Sequence, residues 1–79
     1  MSRFRKVLLT VLRGTADANV TFADARYVLR CLGFQERILG SHHIFARDGV
    51  EEILNLQPRS GGMAKSYQVK QIRQVVSRY

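Results

Sequence analysis

The apolar positions in the first 33 residues recur with helical spacing. In residues 4–12 they fall at i, i+3, i+4, i+7 and i+8, which predicts a helix that ends at Gly14. A second helix is predicted after Thr21, whose hydroxyl can cap it with Asp24 three residues on, and its apolar stripe stops before Gly33. The polar residues 15–20 show no period and predict a loop between the two helices.

From residue 34 onward the helical period gives way to short segments rich in Ile, Leu and Phe. We predict three strands, at residues 34–39, 42–47 and 51–56. Gly40-Ser41 is predicted as the first turn, and Asp48-Gly49 carries a strong signal for a tight hairpin turn. Pro58 lacks a backbone donor and closes the third strand.

The last segment again has helical spacing. After a flexible connection at residues 59–62, a final helix is predicted from Lys65 or Ser66, with Lys70 and Arg73 on its outer side. Its inward positions are predicted to be Val69, Ile72, Val75, Val76 and Tyr79. The order α-α-β-β-β-α over residues 1–79 predicts one α+β domain, with a three-stranded antiparallel sheet covered by helices on one face.

Alternation along the second strand assigns its two faces. Phe45 is expected inside, which places His43 and Arg47 on the covered side and His42 and Ile44 on the open side. His43 is then predicted to fill a gap beside Phe45 and to hydrogen-bond to a neighbour. The reverse facing, with His42 inside, stays open at this stage.

Composition narrows the class of protein. The chain has 79 residues, of which 46% are hydrophobic, so it is too apolar for a disordered tail and too short for a multi-domain enzyme. No apolar run approaches the ~20 residues of a membrane span, and the start of the chain does not read as a signal peptide. We expect a cytoplasmic protein, with its one cysteine, Cys31, buried as a small apolar residue.

The charge is concentrated at the two ends of the chain. The sequence holds 13 Lys and Arg against 6 Asp and Glu, a formal net charge of +7. Residues 1–14 and 61–79 contain basic residues and no acidic ones. Basic segments of this kind favour a polyanion such as RNA, through phosphate contacts that release counterions, or an acidic protein partner.

Gly33-Phe34, followed by the run from Gly40 through Ser41, His42, His43 and Ile44 to Phe45, resembles the HicA (YcfA-like) family. The resemblance extends over residues 21–79 and includes Asn55-Leu56-Gln57-Pro58 and Tyr67-Gln68-Val69, while residues 1–20 match a longer variant with an N-terminal helical extension. It implies a fold like that of double-stranded-RNA-binding domains. It also implies the toxin of a type II toxin-antitoxin pair, an endonuclease that cleaves mRNA.

The resemblance implies that His42 is the catalytic residue, because it is the first histidine after Gly-Ser. Imidazole suits the role of general base toward a ribose 2′-hydroxyl, which then attacks the adjacent phosphorus. Cationic side chains near that base would stabilise the charge that develops on phosphorus. The candidate RNA-binding residues are Gly40, Ser41, Arg37, Arg47, Lys65, Lys70 and Arg73.

No metal or other cofactor is expected. His42 and His43 are neighbours in a strand and would point to opposite faces, so they cannot bind one ion together. Some members of the family carry a further histidine near the position of Arg59, which this chain lacks. The acid that protonates the leaving group would therefore be water or a lysine.

The resemblance implies two partners, mRNA and a HicB-like antitoxin protein that covers His42 and the basic surface. The first helix either adds to the core or mediates a homodimer. Two other functions stay open on the same scaffold, a non-catalytic RNA-binding module and a protein-interaction domain.

Overall fold

The computed structural model describes residues 2–79 of the chain. Its three α-helices are α1, Arg3–Arg13; α2, Phe22–Cys31; and α3, Ser66–Arg78. Its five strands are β1, Gln35–Leu39; β2, His42–Ala46; β3, Leu54–Leu56; β4, Pro58–Arg59; and β5, Met63–Ala64. Single 3₁₀ turns lie at Asp17–Asn19 and Ser60–Gly62. The predicted α+β class and the order of the main elements are confirmed.

The main sheet is three-stranded and antiparallel, in the order β1-β2-β3. Glu36 pairs with Phe45, which in turn pairs with Leu54. Phe45 is fully buried, and Leu54 and Leu56 are 4% and 1% exposed. In β3 the two leucines alternate with the exposed Asn55, and in β2 Phe45 lies on the face opposite the exposed His42, so one face of the sheet packs on the helices and the other is open. The predicted facing, with Phe45 inside and His42 outside, is confirmed.

All three helices contribute to one apolar core. Val7 and Val11 of α1 are 7% and 1% exposed and pack in the same cluster as Val28 of α2 and Ile72 of α3. Because α1 buries its apolar stripe inside the domain, it adds to the core rather than standing apart as an appendage. Among residues 2–79, no helix combines the length and apolar character needed to cross a membrane.

The helix ends follow the predicted signals. The Thr21 hydroxyl accepts a hydrogen bond from the Asp24 amide at 3.0 Å, as an N-cap does. The Asp24 carboxylate does not complete a capping box; it accepts from Arg3 Nη2 at 3.0 Å and so joins the starts of α1 and α2. Gly14 ends α1 with φ 70°, a conformation that favours glycine.

The connection between β2 and β3 is longer than predicted. Asp48-Gly49 lies in a turn, with the Val50 amide donating to the Arg47 carbonyl at 3.1 Å, but β3 begins only at Leu54. A two-residue hairpin there would have placed Glu52 opposite the buried Phe45. The observed register puts Leu54 in that place instead. The turn at Asp48-Gly49 is confirmed, but the predicted start of the third strand at residue 51 was wrong, because burial of Leu54 sets the register.

The segment after β3 is also more ordered than predicted. Instead of a flexible connection, β4 and β5 form a short antiparallel pair around the turn at Ser60–Gly62. Thr21 bridges to Met63, and the Ala64 amide donates to the Val20 carbonyl at 2.9 Å. These long-range bonds tie the start of α2 to the start of α3.

Arg73 was predicted on the outer side of α3, and that placement was wrong. Its guanidinium forms a bidentate ion pair with Asp17, at 2.9 and 3.1 Å, and Nη1 also donates to the Val11 carbonyl at 3.1 Å. Its hydrogen bonds to the Asp17 carboxylate raise the pKa of Arg73 above its ordinary value. A Cβ at Gly14 would lie 2.9 Å from the guanidinium carbon, so glycine there makes room for the arginine.

Two further side chains differ from expectation. Cys31 is exposed at the end of α2, so the prediction of a buried cysteine was wrong. Tyr79 is 55% exposed, and its hydroxyl donates to the Glu52 carboxylate at 2.9 Å instead of entering the core. Both residues lie at the C-terminal ends of their helices, α2 and α3.

His43 lies partly buried on the covered face, as predicted. Its Nδ1 is 2.7 Å from the Glu36 carboxylate, and its ring meets the Phe22 ring edge-on at a centroid distance of 4.8 Å. Arg26 of α2 binds the same carboxylate through two bonds, at 2.7 and 3.0 Å. The three polar groups join α2 to β1 and β2.

Replacing Glu36 with a neutral residue should destabilise the fold, and the loss should be larger near neutral pH than in acid. Hydrogen bonds from Arg26 are the largest influence lowering the pKa of Glu36 below its ordinary 4.5; burial opposes this, and the bond with His43 adds to it. A carboxyl with a lowered folded pKa contributes stability that is present above the unfolded value and is lost as pH falls through the folded one. We expect Glu36→Gln to destabilise the fold by about 1–3 kcal/mol near neutral pH, and by less in acid.

Urea unfolding between neutral pH and about pH 3 would measure this dependence. Glu51→Gln, which neutralises an exposed carboxylate in the β2–β3 connection, is the matched control and should leave the profile close to that of the parent. An equal loss at every pH for Glu36→Gln would contradict the expectation.

Candidate functional site

His42 begins β2 on the open face of the sheet, where its ring is exposed. It follows a two-residue turn in which Gly40 has φ 60° and Ser41 does not have a positive φ, the pattern of a type II′ hairpin turn. His42 pairs with Leu39 across this turn. The turn therefore places the imidazole at the tip of the hairpin, next to Ser41 in the chain.

Two side chains of the neighbouring strand edge contact the imidazole. Its Nδ1 lies 3.1 Å from Asn55 Oδ1, and its Nε2 lies 3.5 Å from Gln57 Nε2. The same Gln57 nitrogen donates to the Ser41 hydroxyl oxygen at 2.9 Å. Asn55 and Gln57 alternate with the buried Leu54 and Leu56, so strand pleating directs both onto the face that carries His42.

Helix α3 supplies the next contacts. Lys65, its N-cap residue, extends Nζ to within 3.5 Å of Gln57 Oε1, which places an ammonium group one side chain away from His42. Gln68, in the first turn, is 6% exposed and bonds to the backbone at both ends of its amide. Its Oε1 accepts from the Gln57 amide at 3.2 Å, and its Nε2 donates to the Asn55 carbonyl at 3.1 Å.

Arg37 lies on β1, on the side of β2 away from β3. It lies opposite Ile44 in the β1–β2 register, and Leu39 is the register partner of His42. Arg37 and His42 are therefore diagonal neighbours on the open face, with a spacing of about 7–8 Å that a long side chain can span. Arg37 and Lys65 flank the imidazole from β1 and from α3, which makes this part of the open face cationic.

The other predicted basic residues lie apart from His42. Arg47 follows the far end of β2, beside Gly33, about five residues or roughly 16 Å along the strand from His42. Lys70 is exposed five residues after Lys65, about 1.4 turns further along α3. Arg73 is bound to Asp17 and the Val11 carbonyl, so it holds α3 against α1 and is not part of the candidate site.

The second histidine and Arg59 make contacts away from His42. His43 turns to the covered face and bonds to Glu36, so the two adjacent histidines do face opposite ways. Arg59 donates from Nη2 to the Ala18 carbonyl at 2.9 Å. Within residues 2–79, no three His, Cys, Asp or Glu side chains are grouped in a way that could hold a metal ion.

His42, Ser41 and the flanking cations are predicted from the sequence, whereas the sequence gives Asn55, Gln57 and Gln68 no role. A signal for the first two is present, because a strand that reads Leu-Asn-Leu-Gln must direct its polar side chains to the open face. Gln68 gives no comparable signal. A glutamine at an inward position of a helix reads as an interruption of the apolar stripe until the bonds that satisfy it are known.

Comparison with known proteins found no relative of this chain. No family model, no curated protein and no solved structure matches the chain.

Proposed function

We propose that the protein is a HicA-like toxin of a type II toxin-antitoxin pair, an endonuclease that cleaves mRNA with His42 as its general base. The observation that carries this proposal is the placement of His42. An exposed imidazole stands on the open face of the sheet, held on one ring nitrogen and flanked by Lys65 and Arg37. These are the groups that cleavage by an internal ribose hydroxyl needs.

The proposed step is a transesterification within the RNA. His42 accepts the proton of a ribose 2′-hydroxyl through a ring nitrogen, the 2′-oxygen forms a bond to the adjacent phosphorus, and the bond to the 5′-oxygen breaks. Water protonates the departing 5′-oxygen. The products are a 2′,3′-cyclic phosphate and a 5′-hydroxyl end. Base assistance of this kind contributes typically 10²- to 10⁴-fold.

Charge near phosphorus is the second requirement. The pentacoordinate intermediate gathers negative charge, which Lys65 and Arg37 are placed to stabilise from opposite sides. Both are also placed to hold the phosphates of a single strand laid across the open face. The Gly40-Ser41 turn adds a hydroxyl that already bonds to Gln57.

The fold and partners follow from the same proposal. We propose a fold like that of double-stranded-RNA-binding domains, since residues 22–78 run from a helix through a three-stranded sheet to a helix. The short β4–β5 pair precedes the last helix, and α1 is added before the first. We propose a cytoplasmic protein whose HicB-like antitoxin inhibits it by covering the open face. Since α1 buries its apolar stripe in the core, that stripe does not support the dimer role considered for it.

The test is incubation of the purified chain with defined single-stranded RNA in the presence of EDTA, followed by analysis of the product ends. Cleavage products with cyclic phosphate and 5′-hydroxyl ends would support the proposal. Salt-sensitive binding with RNA left intact would identify a non-catalytic RNA-binding module. Absence of RNA affinity even at low salt would favour a protein-interaction domain, and either result would refute the nuclease assignment.

The flanking cations should govern RNA affinity and its salt dependence. Each phosphate contact to single-stranded RNA contributes about 0.7 to the slope of log affinity against log salt concentration. We expect Arg37→Gln and Lys65→Gln each to weaken binding and to reduce that slope by roughly one such contact. Arg47→Gln removes the same charge at the far end of β2 and is the matched control. Filter binding or fluorescence anisotropy at several salt concentrations measures all three, and an equal effect of the Arg47 substitution would contradict this placement of the RNA.

A further inference from the structure

Gln68 is the one side chain among residues 2–79 that is both polar and buried, at 6% exposure. A buried amide is costly unless both of its ends are hydrogen-bonded. Here the oxygen accepts from the Gln57 backbone amide at 3.2 Å and the nitrogen donates to the Asn55 backbone carbonyl at 3.1 Å. Both ends of the amide are therefore hydrogen-bonded, and both bonds go to one strand edge.

That edge is the free side of β3. In the order β1-β2-β3, only β2 pairs with β3, so the outward backbone groups of β3 have no strand partner in that sheet. Residues i and i+2 of a strand present a carbonyl and an amide to the same edge. The Gln68 amide bonds to this pair at Asn55 and Gln57 as a neighbouring strand would, and so fixes the position of β3 relative to α3.

Asn55 and Gln57, whose backbone groups bond to Gln68, are also the residues whose side chains contact His42. Asn55 Oδ1 lies 3.1 Å from Nδ1 of the imidazole, and the Gln57 amide nitrogen bonds to Ser41 beside the ring. A carbonyl oxygen can only accept, so a bond at Nδ1 requires the proton to reside there. The neutral ring then carries its lone pair on Nε2, the nitrogen on the side of Gln57, Ser41 and Lys65.

We infer that Gln68 is a positioning residue: through the backbone of Asn55 and Gln57, it holds the His42 ring in the tautomer with the proton on Nδ1 and the lone pair on Nε2. The catalytic meaning of this arrangement rests on the proposed function, since Nε2 is then the base. Outer partners that orient a functional histidine in metal sites typically affect its performance by 10- to 100-fold, and we expect an effect of that order here.

The tautomer can be measured without any RNA. Long-range ¹H–¹⁵N spectra, recorded at a pH at which the imidazole is neutral, distinguish a proton on Nδ1 from one on Nε2. We expect His42 of the parent to show the Nδ1–H form. Gln68→Met removes both bonds at similar volume, and Gln68→Asn keeps a polar amide that is too short to reach both backbone groups. Both should shift the ring toward a mixture of tautomers, and Asn55→Leu should do so directly.

Two comparisons separate positioning from a general loss of structure. Gln71→Met alters an exposed glutamine of the same helix and should change neither the tautomer nor the rate. Asn55→Asp keeps an acceptor for Nδ1 and should retain the parent tautomer. If RNA is cleaved, Gln68→Asn should lower kcat about 10- to 100-fold with RNA affinity nearly unchanged.

The outcomes distinguish this inference from the proposed function. A parent-like tautomer and rate in folded Gln68→Asn and Asn55→Leu would overturn the inference, whether or not Gln68→Met folds. A shifted tautomer in these variants would support it. If the tautomer shifts as expected while the parent protein never cleaves RNA, the positioning stands and the nuclease proposal fails.

Discussion

Replacing His42 with alanine should abolish RNA cleavage while leaving the fold intact. The imidazole is exposed at the start of β2 and makes only side-chain contacts at the surface, so its removal costs little packing. Under the proposed mechanism, the same change removes the group that takes the 2′-hydroxyl proton. We expect a loss of about 10²- to 10⁴-fold in the single-turnover cleavage rate, with RNA binding largely retained.

The matched control is Leu39→Ala. Leu39 is the register partner of His42, lies on the same open face and is 51% exposed, so it tests the effect of trimming that surface without removing the base. Cleavage within a few-fold of the parent is expected for this control. A His42→Ala protein that is folded, as judged by circular dichroism, and that cuts RNA at the parent rate would exclude His42 as the base.

Phe45→Ala should have the largest effect on stability. Phe45 is fully buried between the sheet and the helices, and it fixes which face of β2 is covered. Truncating a core phenylalanine removes its transfer free energy and leaves a cavity, which together cost about 3–5 kcal/mol. Domains of this kind are stable by roughly 5–15 kcal/mol, so this loss is a large fraction of the total stability.

Thermal and urea unfolding would measure this loss. Phe45→Leu fills part of the cavity and should cost clearly less, while Ile53→Ala trims an aliphatic side chain that is 66% exposed and should change stability little. A loss below about 1 kcal/mol for Phe45→Ala would mean that the ring is not the core anchor described here.

Local patterns predicted the elements of this fold well. The spacing of Val7 and Val11 predicted α1, and the stripe through Val69 and Ile72 predicted α3. Alternation around Phe45 predicted the facing of β2, including the exposure of His42. These predictions hold because the period of apolar residues reflects which side of an element must leave water, and that requirement acts within a few turns or pleats of chain.

Pairing between distant segments was less predictable. Asp48-Gly49 has the sequence of a tight turn, yet the sheet takes the register that opposes Phe45 with Leu54. The β4–β5 pair is local, but its bridge to Thr21 joins residues 21 and 63, which are 42 positions apart in the chain. The sequence predicts Arg73 as a surface charge, because its ion pair with Asp17 becomes visible only in the structure.

The same difference between local and long-range contacts applies to the candidate site. His42 and Ser41 are adjacent in the chain and belong to one turn, so a local motif was sufficient to select them. The amide network of Asn55, Gln57 and Gln68 joins β3 to α3. The sequence around a helical glutamine does not indicate which backbone groups its side chain will bond to.

The sequence by itself determined the order of the elements, the covered face of the sheet and the position of an exposed histidine at a hairpin tip. Only the tertiary structure decided the strand register, the commitment of Arg73 to Asp17 and the side chains that hold the imidazole. The physical reason is the distance along the chain over which each kind of contact acts. Periodic burial is settled among neighbours in sequence, whereas a buried hydrogen bond or ion pair depends on which partner the whole fold brings within about 3 Å.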